Sequence, residues 1–254
     1  MAKKPTGPRA RMSAADIKRI KEAAATESRN AQAARQEIVP IVGTGIVPDA
    51  RYSERSLRLY SEGPWKDEST KVAWTDPATG YPCIILRQRT GELGGYVGVE
   101  PSHALAGWMA DALPGSINEG LHQPISYSAA CQEKVPERLS ICHVPPRPIA
   151  PSQAQHRERT QASAGQDHGN DLAWWFGMVM NGPQDYVPRL ATSGVGSGRG
   201  PIYRDEAFVC AQVTALAGKL KAIDDLAKGG PASTASPPRA ESPSLPAPRL
   251  GDRA

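Results

Sequence analysis

The stretch Pro82-Cys-Ile-Ile-Leu-Arg-Gln-Arg-Thr-Gly-Glu-Leu-Gly-Gly-Tyr-Val-Gly-Val99 decides the fold class of this 254-residue chain. Two runs of β-prone apolar residues flank Thr90-Gly91, the pattern of a β-hairpin whose turn lies at that pair. Cys83 to Leu86 is a continuous apolar run too short for a helix, bounded by Pro82 and by the polar segment Arg87 to Arg89, so it reads as a buried strand. On the return strand, Gly94, Gly95 and Gly98 are interspersed with Leu93, Tyr96, Val97 and Val99. Glycine weakens a strand unless geometry requires it, which predicts either a bulge or the close approach of another part of the molecule. The reading here favours a bulge or a tight sheet crossing.

On the N-terminal side, Gly63-Pro64-Trp65 reads as a turn, Val72 to Trp74 as a short strand and Asp76 to Gly80 as the turn that feeds the hairpin. Arg51 to Tyr60 is read as a short charged helix with Leu57 and Tyr60 on one side. On the C-terminal side, Pro101 to Gly107 reads as a loop carrying a solvated His103. Ile125 to Tyr127 and Ile141 to Val144 read as short strands, the latter ended by Pro145-Pro146. Leu172 to Met180, with Trp174, Trp175 and Phe176, is the most hydrophobic run in the chain and is expected to be a central strand. Val209, Val213, Leu216, Leu220 and Ile223 recur at intervals of 4, 3, 4 and 3, which places them on one face of a helix from about Asp205 to Lys228, stopped by Gly229-Gly230.

These elements predict an α+β fold: a small, mostly antiparallel sheet with the C-terminal helix packed on it, flanked by disordered tails. The boundaries follow from composition. Residues 1–50 are expected to be a basic, partly helical N-terminal extension, 51–228 a single domain with a flexible insertion at 151–170, and 229–254 a disordered Pro-rich tail. Ser13 with Asp16 three residues on resembles a capping box, and an Ala-rich run follows with a narrow apolar stripe at Ile17, Ile20 and Ala24. Thr192 to Gly200, with glycine at every second position from Gly194, reads as a flexible linker, because its spacing is not that of a dinucleotide fingerprint. Gly43-Thr-Gly45 likewise lacks the Lys-Ser/Thr of a phosphate loop.

Charge is unevenly distributed. The first 35 residues carry nine Lys or Arg against three acidic side chains, a local +6, while the whole chain is +4, so the remainder sums to −2. The basic arm 1–35 could touch nucleic acid through its phosphates, but no aromatic residue interleaves the basic ones as in single-strand stacking sites, and a solvated helical extension is the preferred reading. No run approaches the roughly 18 apolar residues that cross a bilayer, and the basic N-terminus lacks a secretory apolar stretch, which predicts a cytoplasmic protein with no membrane contact. The four cysteines, Cys83, Cys131, Cys142 and Cys210, form no CxxC pair, and in the cytoplasm they are expected to be reduced rather than disulfide-linked.

The residues with chemistry to offer are His122, His143 and Asp185, with Cys142 and Cys131 beside them. Cys131 and Cys142-His143 lack the close ligand pairs of a zinc site, so no metal is expected. Cys142 and His143, as neighbours on a presumed strand, would point to opposite faces and could not act as a nucleophile pair. A bound cofactor is not expected either.

Gly94-Gly-Tyr-Val-Gly-Val99, His122 ahead of Ile125-Ser-Tyr127, Ile141-Cys-His-Val-Pro145, Trp174-Trp-Phe-Gly177 and Tyr203-Arg-Asp205, taken in that order, resemble an uncharacterised family of small bacteriophage and prophage proteins. The blocks span roughly residues 63 to 227. The resemblance implies a context and no mechanism. In that family the Trp-Trp-Phe-Gly block continues Phe-Asp-Cys-Ala-His-Ala-Gly-Asp, whereas the corresponding residues here, Met178 to Asp185, retain only the final Asp, so any chemistry of the family's Cys and His is expected to be lost.

The function expected on these grounds is that of a phage or prophage accessory protein, acting in the bacterial host cytoplasm by binding a host or phage macromolecule, protein rather than nucleic acid. Trp108, Tyr96, His122 and His143 are the candidate partner contacts. The alternative is a small hydrolase or transferase using His122, His143 and Asp185, and the third reading is a structural virion component.

Overall fold

The structure is a computed structural model that describes residues 13–131, 135–142, 172–190 and 200–229. The predicted insertion 151–170, the linker before Gly200, the tail beyond Gly229, and His143 and Val144 lie outside the described residues. Strands β1 (Ala50–Tyr52), β2 (Lys71–Thr75), β3 (Pro82–Arg87), β4 (Leu93–Val99), β5 (Tyr127–Ala130) and β6 (Trp174–Val179) form one sheet in the order β1-β2-β3-β4-β6-β5. Every pairing is antiparallel. With a helix at each end of the described chain, α1 (Ala14–Ala34) and α2 (Glu206–Gly229), the fold is α+β.

The hairpin of β3 and β4 lies at the middle of the sheet. Arg87 faces Leu93, Gln88 N–H donates to the Glu92 carbonyl at 2.8 Å, and Gly91 adopts φ of 104°, the left-handed backbone that glycine accepts without Cβ strain. The Arg87 guanidinium folds back to donate to the Gly91 carbonyl at 2.8 Å, which closes the loop with a buried charge.

No bulge interrupts β4, whose register against β3 and β6 is unbroken. Its glycines instead answer to close approach. A Cβ on Gly95 would stand 2.4 Å from Val213 Cγ2 of α2, and one on Gly177, directly across from Tyr96, would stand 2.1 Å from the Tyr96 ring. The helix at Gly95, and the Tyr96 ring at Gly177, therefore come closer to the sheet backbone than any larger residue would permit at those points.

Helix α2 crosses β3 and β4 on one face. The stripe Val209, Val213, Leu216 and Leu220 is wholly buried against Val72, Trp74, Ile85, Leu93, Val97, Phe176 and Met178, and Ile223 packs at its margin. The opposite face collects Ala73, Ile84, Leu86, Tyr96 and Trp175. This alternation is what a period-2 strand with both faces covered requires. Ile41, in the predicted extension, is fully buried in the α2-side core.

Several elements depart from expectation. Arg51 to Tyr60 is not a helix: its first residues belong to β1, and Arg51 is buried because its guanidinium answers Glu206 of α2. The predicted strand at Ile125 starts instead at Tyr127, where pairing with β6 begins. Ile141 and Cys142 are not in a strand. β6 sits second from the edge, because short β5 adds outside it. His103 is buried, not solvated: Leu105 N–H donates to its Nδ1 at 3.0 Å and its Nε2 lies 3.0 Å from the Leu220 carbonyl.

The cysteines are corrected most. Cys131, at the end of β5, and Cys142 form a disulfide, with Cα atoms 5.3 Å apart, whereas Cys83 and Cys210 are free and buried. Residues 135–142 form a strap over the second face of the sheet. Beneath it the fully buried Lys71 donates to the carbonyls of Glu137 at 2.5 Å and Cys142 at 2.9 Å, and burial pulls its amine down to about 7. The strap also ties down α1, since Arg138 pairs with both Glu54 and Glu27 of that helix. Ser13 caps α1 as expected, accepting from Asp16 N–H at 3.1 Å. Ile17 and Ile20 on that helix remain exposed.

Candidate functional site

The site is assembled at the entrance to α2. A helix start favours acidic side chains, and a buried carboxylate must be met by donors. Glu206 meets Arg51 Nη1 at 2.9 Å and Ser69 N–H at 2.8 Å. Glu68 accepts from Glu206 N–H at 3.0 Å, from Arg87 Nη2 at 2.7 Å and from the Tyr203 hydroxyl at 2.5 Å. Burial raises the Glu68 carboxyl above the usual range even against those donors. Tyr203 is pinned in consequence, and with it the adjacent Arg204. One residue earlier, Ile202 forms a parallel bridge with Asp185, through Ile202 N–H to the Gln184 carbonyl and Tyr186 N–H to the Ile202 carbonyl, each at 2.9 Å.

Asp185 is thereby set beside Arg204, and its carboxylate gathers four donors. Oδ1 lies 2.7 Å from His122 Nε2 and 2.8 Å from Arg204 Nε, while Oδ2 accepts from Gln123 Nε2 and from Gly182 N–H, each at 3.0 Å. Burial by itself raises the Asp185 carboxyl, but the hydrogen bonds from Arg204, His122 and Gly182 outweigh it and hold the group below its ordinary value. The carboxylate is therefore ionised near neutrality, so His122 Nε2 bears the proton that it shares and Nδ1 is left as the acceptor nitrogen. His122 is fixed further by its own N–H, which donates to Gln212 Oε1 of α2 at 2.7 Å, and by an edge-on contact of its ring with Phe208 at 5.0 Å. The Arg204 guanidinium lies 4.6 Å from the centre of the same Phe208 ring.

The Asp185 side chain is sealed from solvent, while those of His122 and Arg204 keep 21% and 15% of their exposure. Among the described residues, His122 Nδ1 and the two terminal nitrogens of Arg204 have no hydrogen-bond partner. The arrangement can therefore do two things chemically. It can orient an imidazole whose Nδ1 accepts a proton, and it can aim guanidinium N–H groups outward from a rigid anchor.

No hydroxyl or thiol among the described residues is hydrogen-bonded to Nδ1. Cys131 and Cys142 are joined, and burial pushes the Cys83 thiol well up and the Cys210 thiol to about 11, which removes them as ready nucleophiles. Among the described residues, no group of three or more His, Cys, Asp or Glu is placed to hold a metal ion.

Of the residues singled out in the sequence, His122 and Asp185 meet, and His143 lies outside the described residues. Tyr96 is buried, its hydroxyl held 3.0 Å from Gln88 Nε2 and its ring edge-on to Tyr127, so the expectation that it contacts a partner is corrected. Trp108 is half-buried against the α2-side core. Arg204, Gln123 and Phe208 were not foreseen. Arg204 stood in the Tyr203-Arg-Asp205 block, but nothing in its neighbourhood along the chain pointed to Asp185. Compared with protein-family models, curated proteins and solved structures, the chain matches none. Among the described residues, no helix is long and apolar enough to cross a membrane.

Proposed function

We propose that this is an accessory binding protein of phage or prophage type, which engages a host or phage macromolecule of the bacterial cell, a protein rather than a nucleic acid, without transforming it. The observation that carries the reading is the construction of the Asp185 site. A buried carboxylate organises two cationic or cation-capable side chains at the surface and spends its acceptor capacity doing so. That is the economy of a recognition patch, where rigid, partly exposed Arg and aromatic groups supply most of the binding energy. The phage context rests on the sequence blocks, two of which contribute His122 and Arg204 to this site, together with the surviving Asp185.

One observation favours the hydrolase or transferase alternative: the 2.7 Å contact between His122 and Asp185, which would suit a general base. The two readings part on a single substitution. The full chain carrying His122→Gln, checked for folding by circular dichroism, is used beside wild type to capture partners from induced host cells, and the cellular effect of each is scored. A binder loses capture and effect together. A variant that captures its partner as wild type does, yet loses all effect, would refute the binding reading in favour of catalysis, since removing a general base costs about 10² to 10⁴ in rate.

A further inference from the structure

We infer that the Arg204–His122 patch is a carboxylate-binding site, and that the group it takes is an Asp or Glu side chain or a C-terminal carboxylate on a protein segment. The inference rests on the binding reading above and deepens it by naming the chemistry of the contact.

Three observations point the same way. The first is donor geometry. Arg204 gives only Nε to Asp185, at 2.8 Å, which leaves the four N–H bonds of its terminal nitrogens for an external acceptor. A guanidinium held at Nε and against Phe208 presents that edge as a planar fork, matched to the two oxygens of a carboxylate. The second is charge. Asp185 already balances one positive charge, and the exposed Asp205 beside Arg204 caps α2 by accepting from Phe208 N–H at 2.8 Å. With Arg204 set against two carboxylates, the local sum is −1 while His122 is neutral and zero once its ring is protonated, a field that opposes a dianionic phosphate or a phosphate backbone, whose binding requires a run of cations, more strongly than it opposes a single carboxylate held by the guanidinium fork. The third is the rim. Ile202, bridged directly to Asp185, is 58% exposed, and the half-buried Phe208 lies beneath both cationic groups. Apolar surface beside a charge fork fits an acidic residue carried on a peptide that also brings apolar side chains.

In this site Asp185 is a positioning residue, as is Gln212, which holds His122 by its main chain. The ligand carboxylate would take Arg204 through its terminal nitrogens. His122 joins as a second donor at Nδ1 when its ring is protonated.

The experiment uses the full chain labelled with ¹⁵N and ¹³C. Arg204 Nε and Cζ and the His122 ring nitrogens are followed by NMR during separate titrations with acetate and with inorganic phosphate at matched ionic strength. The expected result is saturable acetate-induced shifts at Arg204 and His122, with binding weakened about tenfold or more in Arg204→Lys, which keeps the charge and loses the fork. Arg204→Lys is chosen because it leaves a cation beside Asp185, and Phe208→Leu serves as a second variant that leaves Arg204 intact and is expected to weaken acetate binding several-fold. Saturable shifts with phosphate and none with acetate would overturn the assignment in favour of a phosphate ligand. Shifts that rise linearly with either anion, or that are unchanged in Arg204→Lys, would overturn the site itself. Capture of partners separates this inference from the reading that it rests on. Equal capture by wild type and Arg204→Lys sinks the carboxylate contact and leaves the binder standing. Failure of wild type to capture any partner sinks the binder, whatever acetate does.

Discussion

If α2 lies against β4 as closely as Gly95 implies, enlarging Gly95 and trimming Val213 should rescue one another. The alanine methyl of Gly95→Ala would stand 2.4 Å from Val213 Cγ2 and 3.0 Å from Val209 Cγ1, with no main-chain atom nearer than the Val209 carbonyl at 3.9 Å. Overpacking of that kind costs about 1–3 kcal/mol, offset by about 0.4–1 kcal/mol from the loss of glycine's freedom in the unfolded chain, for a net cost of about 1–2 kcal/mol. Val213 is fully buried, so Val213→Ala removes two methyl groups at about 0.8 kcal/mol each and leaves a cavity, a cost of about 2–3 kcal/mol in total. Were the sites independent, the double variant would lose about 3–5 kcal/mol. In the double variant, however, the new methyl occupies the space that Cγ2 vacates, which removes the clash and refills part of the cavity. The expected loss then falls to about 1–2 kcal/mol, a coupling of about 2 kcal/mol or more. Urea unfolding of the four proteins, read as midpoints at constant slope, measures it, and on a folded unit of this size the coupling corresponds to about 4–8 °C in melting temperature. Costs that add to within about 0.5 kcal/mol would refute the packing of α2 over Gly95.

Other expectations follow from the buried polar groups. Leu105 N–H occupies His103 Nδ1, so Nε2 carries the proton given to Leu220 and the ring is neutral. Burial lowers its pKa below 6.5, which means that the unfolded chain takes the proton first as pH falls, so stability present above about pH 6.5 should decline below it. That decline should flatten in His103→Gln, and an unchanged profile would contradict the neutral ring. Asp185 acts in a lower window: its carboxyl is held down in the folded state, so its contribution is complete above the ordinary carboxylate value and is lost as pH falls through the lowered one. Asp185→Asn, which leaves Arg204 without its counter-charge, should cost about 2–4 kcal/mol, short of the fully buried range because Arg204 keeps some solvent. Denatured, unreduced protein should show two reactive thiols, Cys83 and Cys210, and a count of four would break the Cys131–Cys142 pairing. Replacing both bridged cysteines by Ser opens a link between residues 11 apart and should cost about 3 kcal/mol by chain entropy.

What could be read along the chain was what depends on near neighbours. The Thr90-Gly91 turn, the apolar run of β3, the 4-3-4-3 stripe of α2 and the Ser13 cap each express a local rule, and each stands in the structure where the residues put it. The α+β class follows from them, because a two-strand apolar hairpin and a one-sided helix can bury their faces only on each other. Tertiary structure alone decided the rest. Whether the glycines of β4 marked a bulge or a close approach depended on where Val213 of α2 and Tyr96 of the same sheet would come to lie. Arg51 reads as a helix residue until Glu206, 155 positions away, gives it a reason to be buried. Cys131 and Cys142 carry no pairing signal in their spacing and are joined because the strap returns over the sheet. His122 and Asp185 could each be suspected, but their contact, and the arrival of Arg204 on the same carboxylate oxygen, required the parallel bridge between Asp185 and Ile202. Sequence periodicity reports the face on which a side chain lies, whereas the partner of a buried charge is set by which distant elements the packed core brings against that face.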